Sequence, residues 1–270
     1  MTLAIVGGTG VYDLGTLGTA ESILTPYGEV TVFHLEIADS PVIFLPRHGV
    51  GHSVPPHRIN YRANIWALQA LGVGEVLATQ AVGSLNPRMA PGHVVLLSQF
   101  LDWTKNRSAT FFDGDDGPVV HVDVSHPYCP RLNGCVLRAA EFLDERVHGD
   151  AVYACTEGPR FETAAEIHAL RVLGADLVGM TSVPEVVLAR EAGLCYTAIC
   201  IVANWAAGMT SYPLTQEEVL VIMGEQSGVL REIVHRFVER TRTGVCSCRE
   251  LGFAGQLPRI QGSEEKISST

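Results

Sequence analysis

Arg47 and His48 are adjacent in the run Pro46-Arg47-His48-Gly49, where an apolar stretch ends. A guanidinium forks onto two oxygens of an anion and a neighbouring imidazole adds a directed donor, so the pair reads as an anion clamp. A histidine at a strand end also has a plain structural reading. Other polar groups close apolar runs in the same way: Thr9 in Gly7-Gly8-Thr9-Gly10, Gln80 and Ala81 before Val82, Thr181 after Met180, and Asn204 after Ala203. The GGTG run permits close backbone approach to a phosphate, or is only a strand exit. The third glycine of a dinucleotide fingerprint is missing, since position 13 is Asp. There is no G-x-S-x-G elbow and no H-E-x-x-H zinc motif. An anion cradle beside an apolar slot, with an amide and a carboxylate, suggests a phosphate-using transferase acting on a heterocycle.

These groups need strand ends to hold them together. Apolar runs at 3–6, 31–37, 42–46, 75–82, 94–100, 151–155, 177–181 and 196–203 read as strands, and helical spacing marks 56–71, 131–148, 162–173, 184–192 and 214–241. Apolar runs separated by helices, without strict alternation, predict a single-domain α/β fold with a central β-sheet covered on both faces. In open α/β sheets ligands collect where strands stop and helices begin, and the segment from Ala154 to Gly193 is dense in such junctions. The stretch from Thr104 to Tyr128 is long and irregular, which suits a lid, a binding loop or a subunit contact.

At 270 residues without a Pro/Gly/Ser-rich divider, the chain is expected to be one domain over 1–253 with a loose polar tail over 254–270. Its net charge of −10 argues against a nucleic-acid backbone as partner, although a local Arg/His pair could still hold a small anion. No run approaches a membrane span and no signal-type segment opens the chain, so a cytoplasmic location is expected. The seven cysteines show no paired metal spacing; Cys155, Cys195 and Cys200 read as small core residues, and Cys246-Ser247-Cys248 stays open between free thiols, a redox pair and no role.

The run EGPRFETAAEIHALRVLGADLVGMTSVPEVVLAREAG, with GGTG, PRHG and TQAVGSL upstream and in order, resembles the trimeric purine nucleoside phosphorylase and methylthioadenosine phosphorylase family, over nearly the whole chain to about Arg240. The resemblance implies the nucleoside phosphorylase-like fold, with a mixed central sheet flanked by helices. It implies a reaction in which inorganic phosphate, a co-substrate, attacks C1′ of a nucleoside, with no metal or organic cofactor. It assigns Thr9, Arg47, His48, the Ala81 backbone and Thr181 to phosphate, Met180 to the ribose, and Phe161 and Glu162 to the purine. Asn204 and His48 become the groups next to the chemistry. It further implies a homotrimer, or a dimer of trimers, in which His121 reaches a neighbouring site beside the 5′ group. Gln80 departs from the threonine of methylthioadenosine enzymes, which leaves its role open.

Within that resemblance, methylthioadenosine enzymes carry Asp at the positions of Asn204 and Ala206. The amide of Asn204 suits a 6-oxopurine instead, donating to O6 while its carbonyl faces a protonated N7. Glu162 matches the glutamate that accepts N1–H in 6-oxopurine enzymes. The expected function is therefore 6-oxopurine nucleoside phosphorolysis in purine salvage. At the 5′ pocket, where Gln216 and Val219 fall, polar Gln216 tilts the choice toward a 5′-hydroxyl over 5′-methylthioinosine. A phosphate-independent nucleosidase and a non-catalytic purine-binding protein are the competing readings.

Overall fold

The computed structural model describes residues 1–8, 18–114, 118–239, 244 and 246–259. Thr9, placed by sequence in the phosphate set, lies outside them, as do residues 260–270 of the expected tail.

The described strands form a mixed sheet. β1 (Thr2–Gly7), β2 (Thr19–Thr25), β3 (Gly28–Ile37) and β4 (Ser40–Pro46) make one wing, in the order β2-β3-β4-β1. β5 (Val73–Ser84) then joins β1 in parallel. It also pairs with β9 (Cys195–Trp205) in parallel and, at its far end, with the short β8 (Leu177–Gly179). β8 continues to β7 (Val147–Thr156) and β6 (Val94–Trp103), and β6 returns to β9, so these five strands close on themselves. Central strands are buried on both faces because helices cover both. α1 (Tyr61–Ala70) and α4 (Ser182–Glu191) pack on one side, α2 (Pro130–Ala139) and α5 (Gln216–Glu239) on the other. Along β9 the period of two is visible: Ala198, Cys200 and Val202 join the first core, Ile199, Ile201 and Ala203 the second.

One edge of β5 matters for the site. Its last β1 partner is Ala78 and its first β8 partner is Gly83, so among the described residues Thr79 to Val82 face a gap there. The N–H and C=O of one strand residue point to the same edge, and alternate residues repeat the direction. The Thr79 carbonyl accepts a bond from Arg47 across this gap (2.8 Å). The amide of Ala81 therefore faces it too.

Several boundaries differ from expectation. The helix read over 56–71 starts at Tyr61, because Asn60 caps it (Oδ1 accepts from the Ala63 N–H, 3.1 Å); Pro56–Arg58 is only a 3-10 turn. The helix read over 131–148 ends at Ala139; a 3-10 stretch follows to Arg146, broken by Asp144 at φ 49°, and His148 already belongs to β7. β2 was not anticipated: it is an exposed edge strand whose TAESILT sequence lacks a regular apolar alternation. The tail was expected to be loose from Ala254. Instead Ala254–Gln256 forms a 3-10 turn, Leu257 is buried, and the Trp66 indole N–H donates to the Pro258 carbonyl (2.8 Å).

Candidate active site

A cavity of about 540 Å³ opens at the β5 gap, a size suited to a drug-sized or nucleoside-sized ligand. Its lining brings together Arg47, His48, Ala81, Phe161, Glu162, Met180, Thr181, Asn204, Gln216 and Val219, drawn from segments up to 172 residues apart (47 to 219). His121 is absent from this lining and stands exposed in the long loop.

The anion end is built around a buried ion pair. Arg47 Nε and NH2 fork onto the Glu185 carboxylate (2.6 and 2.8 Å) and NH1 donates to the Thr79 carbonyl. Both side chains are completely buried, and the Tyr196 hydroxyl gives Glu185 a further bond at 2.7 Å. Burial alone would lower the Arg47 pKa, but Glu185 outweighs it and the net shift is upward, so this guanidinium stays charged. The fork expected to grip a ligand therefore grips a protein carboxylate. Of the five N–H groups of a guanidinium, three are committed to these protein acceptors. Gly8 makes this packing possible: a Cβ there would sit 2.9 Å from both Arg47 NH1 and the Thr79 oxygen.

His48 differs from expectation as well. Its Nδ1 lies 2.9 Å from the Val54 carbonyl, which makes Nδ1 the protonated nitrogen. Its pKa is lowered to about 4 by burial and then by the Arg47 charge, so at neutral pH its Nε2 is an acceptor, not the directed donor read from sequence. His52 stacks on it with ring centroids 4.2 Å apart. Gln80, left open by sequence, is 3% exposed and lines the cavity with both amide atoms unpartnered in the protein. A buried amide without partners costs about 1–3 kcal/mol, which a ligand can recover. Thr181 completes this end at the start of α4; its hydroxyl makes no capping bond, and its N–H donates to the Tyr153 hydroxyl (3.2 Å).

At the other end, Glu162 is buried just before α3 (Ala164–Val172), whose start is fixed by a capping box between Thr163 and Glu166. The Thr156 hydroxyl donates to Glu162 Oε1 (2.6 Å), and burial raises the carboxyl pKa. Asn204, 6% exposed, donates one amide hydrogen to the Trp205 carbonyl (2.8 Å); its Oδ1 has no partner among the described residues. Gly83 backs it, with a virtual Cβ only 3.4 Å from the Asn204 amide nitrogen. Met180 is seated over Gly158, at φ 68°, where any Cβ would collide with its sulfur. Phe161 is 39% exposed and walls the mouth.

Two residues that hold the site were not singled out from sequence. Glu185 is the counter-ion described above. Arg107, from the long loop, is buried and donates to the carbonyls of Met180, Val183, Thr156 and Glu157 and to the Tyr61 hydroxyl (2.6 to 3.2 Å). Thr110 and the Phe111 N–H bind Glu191 on α4, so the first half of this loop is a clasp across the ends of β7 and β8. A sequence signal existed for Glu185, an acidic residue directly after Pro184 in the same motif as Thr181. Arg107 had none.

Comparison with known proteins decides the family: residues 2–239 match the model described as "Phosphorylase superfamily". The chain belongs to the phosphorylase superfamily. As a superfamily member it is an enzyme of a pentosyltransferase family. It is 52% identical over 256 residues to a Moorella thermoacetica protein named probable 6-oxopurine nucleoside phosphorylase, spanning 92% of this chain and 97% of that one. It is 48% identical to the 6-oxopurine nucleoside phosphorylase of Pyrococcus furiosus (92% and 96% covered). Among solved structures, methylthioadenosine phosphorylase of Schistosoma mansoni in complex with adenine superposes with a TM-score of 0.84 at 34% identity, over 88% of this chain and 91% of that one. The superfamily member described here thus has the nucleoside phosphorylase fold inferred from its motifs.

Proposed function

We propose that this enzyme is a 6-oxopurine nucleoside phosphorylase, converting inosine- or guanosine-like nucleosides and phosphate into the free purine and a (deoxy)ribose 1-phosphate. The observation that carries the reading is a buried carboxylate, Glu162, and an amide, Asn204, lining one cavity, the amide oxygen having no partner among the described residues. A carboxylate accepts the N1–H of a 6-oxopurine, and an amide hydrogen donates to O6. A 6-aminopurine has no hydrogen on N1 to offer an ionised Glu162.

Phosphate binds at the Arg47 end, held by the Thr181 hydroxyl, the Ala81 N–H and the Gln80 amide beside the charged Arg47 guanidinium; the sequence resemblance adds Thr9 to this set. One phosphate oxygen attacks C1′ as the bond to the purine breaks, and the phosphate proton ends on the departing base. Stabilising the negative charge that builds on the purine is the task of the Asn204 amide, while Glu162 orients the base through N1–H. His48 accepts a hydrogen from a protonated phosphate oxygen through Nε2. Met180 supports the ribose and Phe161 the purine face. No cofactor enters this scheme. The motif resemblance further implies a homotrimer or dimer of trimers, in which His121, exposed here, serves a neighbouring site. A cytoplasmic location fits that no described helix is long and apolar enough to cross a membrane.

Leu214, Val219 and Leu220 beside Gln216 favour 5′-methylthioinosine as a second substrate reading. Turnover of inosine, methylthioinosine and methylthioadenosine, each with and without phosphate, tests the proposal. Rapid methylthioadenosine cleavage with little inosine turnover would overturn the base assignment, and phosphate-independent cleavage would make the enzyme a nucleosidase.

A further inference from the structure

At the opposite end of β9 from Asn204, the fold gathers four cysteines that are scattered in sequence. Cys129 precedes α2, Cys195 opens β9, and Cys246 and Cys248 come from the segment after α5. Their sulfurs all lie within 4.8 Å of one another, and those of Cys195 and Cys246 are 3.1 Å apart. All four are free thiols; three are buried and Cys246 half-buried. Zinc bound by four thiolates has Zn–S bonds of about 2.3 Å, which sets the sulfur–sulfur edges of the tetrahedron at about 3.8 Å. The observed separations bracket that edge, so slight side-chain rotation suffices.

We propose that Cys129, Cys195, Cys246 and Cys248 form a structural tetrathiolate site for a divalent zinc ion.

The surroundings fit such a centre. The Arg131 guanidinium hydrogen-bonds Cys195 and Cys246 and pairs with Glu75 at 2.7 Å, supplying positive charge and N–H donors to thiolate sulfur. The N–H of Cys129 donates to the Tyr196 carbonyl (2.7 Å), fixing the first ligand against the strand that carries the second. A cavity of about 590 Å³, lined by Arg131, Cys195, Cys246 and Arg249, gives an ion a route in. Binding is balanced by proton release: four S–H groups lose four protons and one zinc ion is taken up, with no change of oxidation state. With all four positions filled by protein, the ion has no open site for catalysis. Its effect is to tie the segment after α5 to the starts of α2 and β9. The wide sequence separation explains why no ligand spacing was legible.

The test uses the full-length protein purified under reducing conditions without chelator. Elemental analysis is expected to find about one zinc per chain, and cobalt added to the chelator-stripped protein should give the thiolate charge-transfer and tetrahedral visible bands. Cys248→Ser should lose the ion and lower the thermal midpoint by roughly 5 °C, while inosine phosphorolysis well below that midpoint is unchanged. Wild-type protein that takes up neither metal, or whose intact mass after non-reducing purification lacks four hydrogens because two disulfides have formed, overturns the proposal. The cobalt spectrum decides the question on wild type even if the variant fails to fold.

Discussion

His48 makes the acid side of this protein's stability calculable. Its imidazole has a folded pKa of about 4 against an ordinary 6.5, because burial and the Arg47 charge both oppose protonation. Below pH 6.5 the unfolded chain takes up a proton that the folded chain refuses until about pH 4, so folding stability falls as pH falls through that window. Integrated from about pH 7.5 to about pH 5, the loss from this one group is about 2 kcal/mol. Denaturant unfolding across that range, with wild type and His48→Gln in parallel, isolates the contribution: the wild type should lose about 2 kcal/mol more than the variant. A difference that stays flat with pH would refute the assignment of a neutral, Nδ1-protonated His48. Phosphate supplies an internal control. A dianion facing Nε2 favours the imidazolium, so saturating phosphate should shrink the pH-dependent difference.

Other consequences are as direct. Asn204→Asp replaces a donor with an acceptor, and the ratio of kcat/KM for inosine over adenosine should fall by on the order of 10² or more; an unchanged ratio would show that Asn204 does not read position 6. Gln80→Met removes a buried amide with no protein partner, so the ligand-free enzyme should gain about 1 kcal/mol of stability while the KM for phosphate rises about tenfold. A lower midpoint together with unaltered phosphate KM would remove Gln80 from the phosphate set. Arg107→Ala strands four carbonyls and a hydroxyl, and should cost about 3 kcal/mol or more in chemical denaturation. A loss under about 1 kcal/mol would mean that the loop is held elsewhere.

What could be read beforehand followed from how local the signal was. Arg47, His48, Thr181 and Asn204 carry their chemistry in their own side chains and end apolar runs, so type and position together pointed to a cavity. The orientation of that chemistry was not legible. The Arg47 fork is turned by a carboxylate 138 positions away, and the protonated face of His48 is chosen by one carbonyl in a turn. Arg107 looks like an ordinary loop cation until five acceptors converge on it. The helix overrun to His148 has the same origin: EFLDER favours a helix, and only the left-handed backbone of Asp144 turns the chain into a strand.

The Arg47–Glu185 pair also bears on how fast a site of this kind can empty. A bare buried arginine would bind a phosphoryl dianion tightly and give it up slowly. Here the cation's charge is already offset by a carboxylate within the protein, which weakens its pull on an anion. In phosphorolysis the sugar phosphate leaves with the same phosphoryl group that entered as the nucleophile. The cradle must accept that group in both guises, and a guanidinium offset by its own carboxylate is the form least prone to trap either of them.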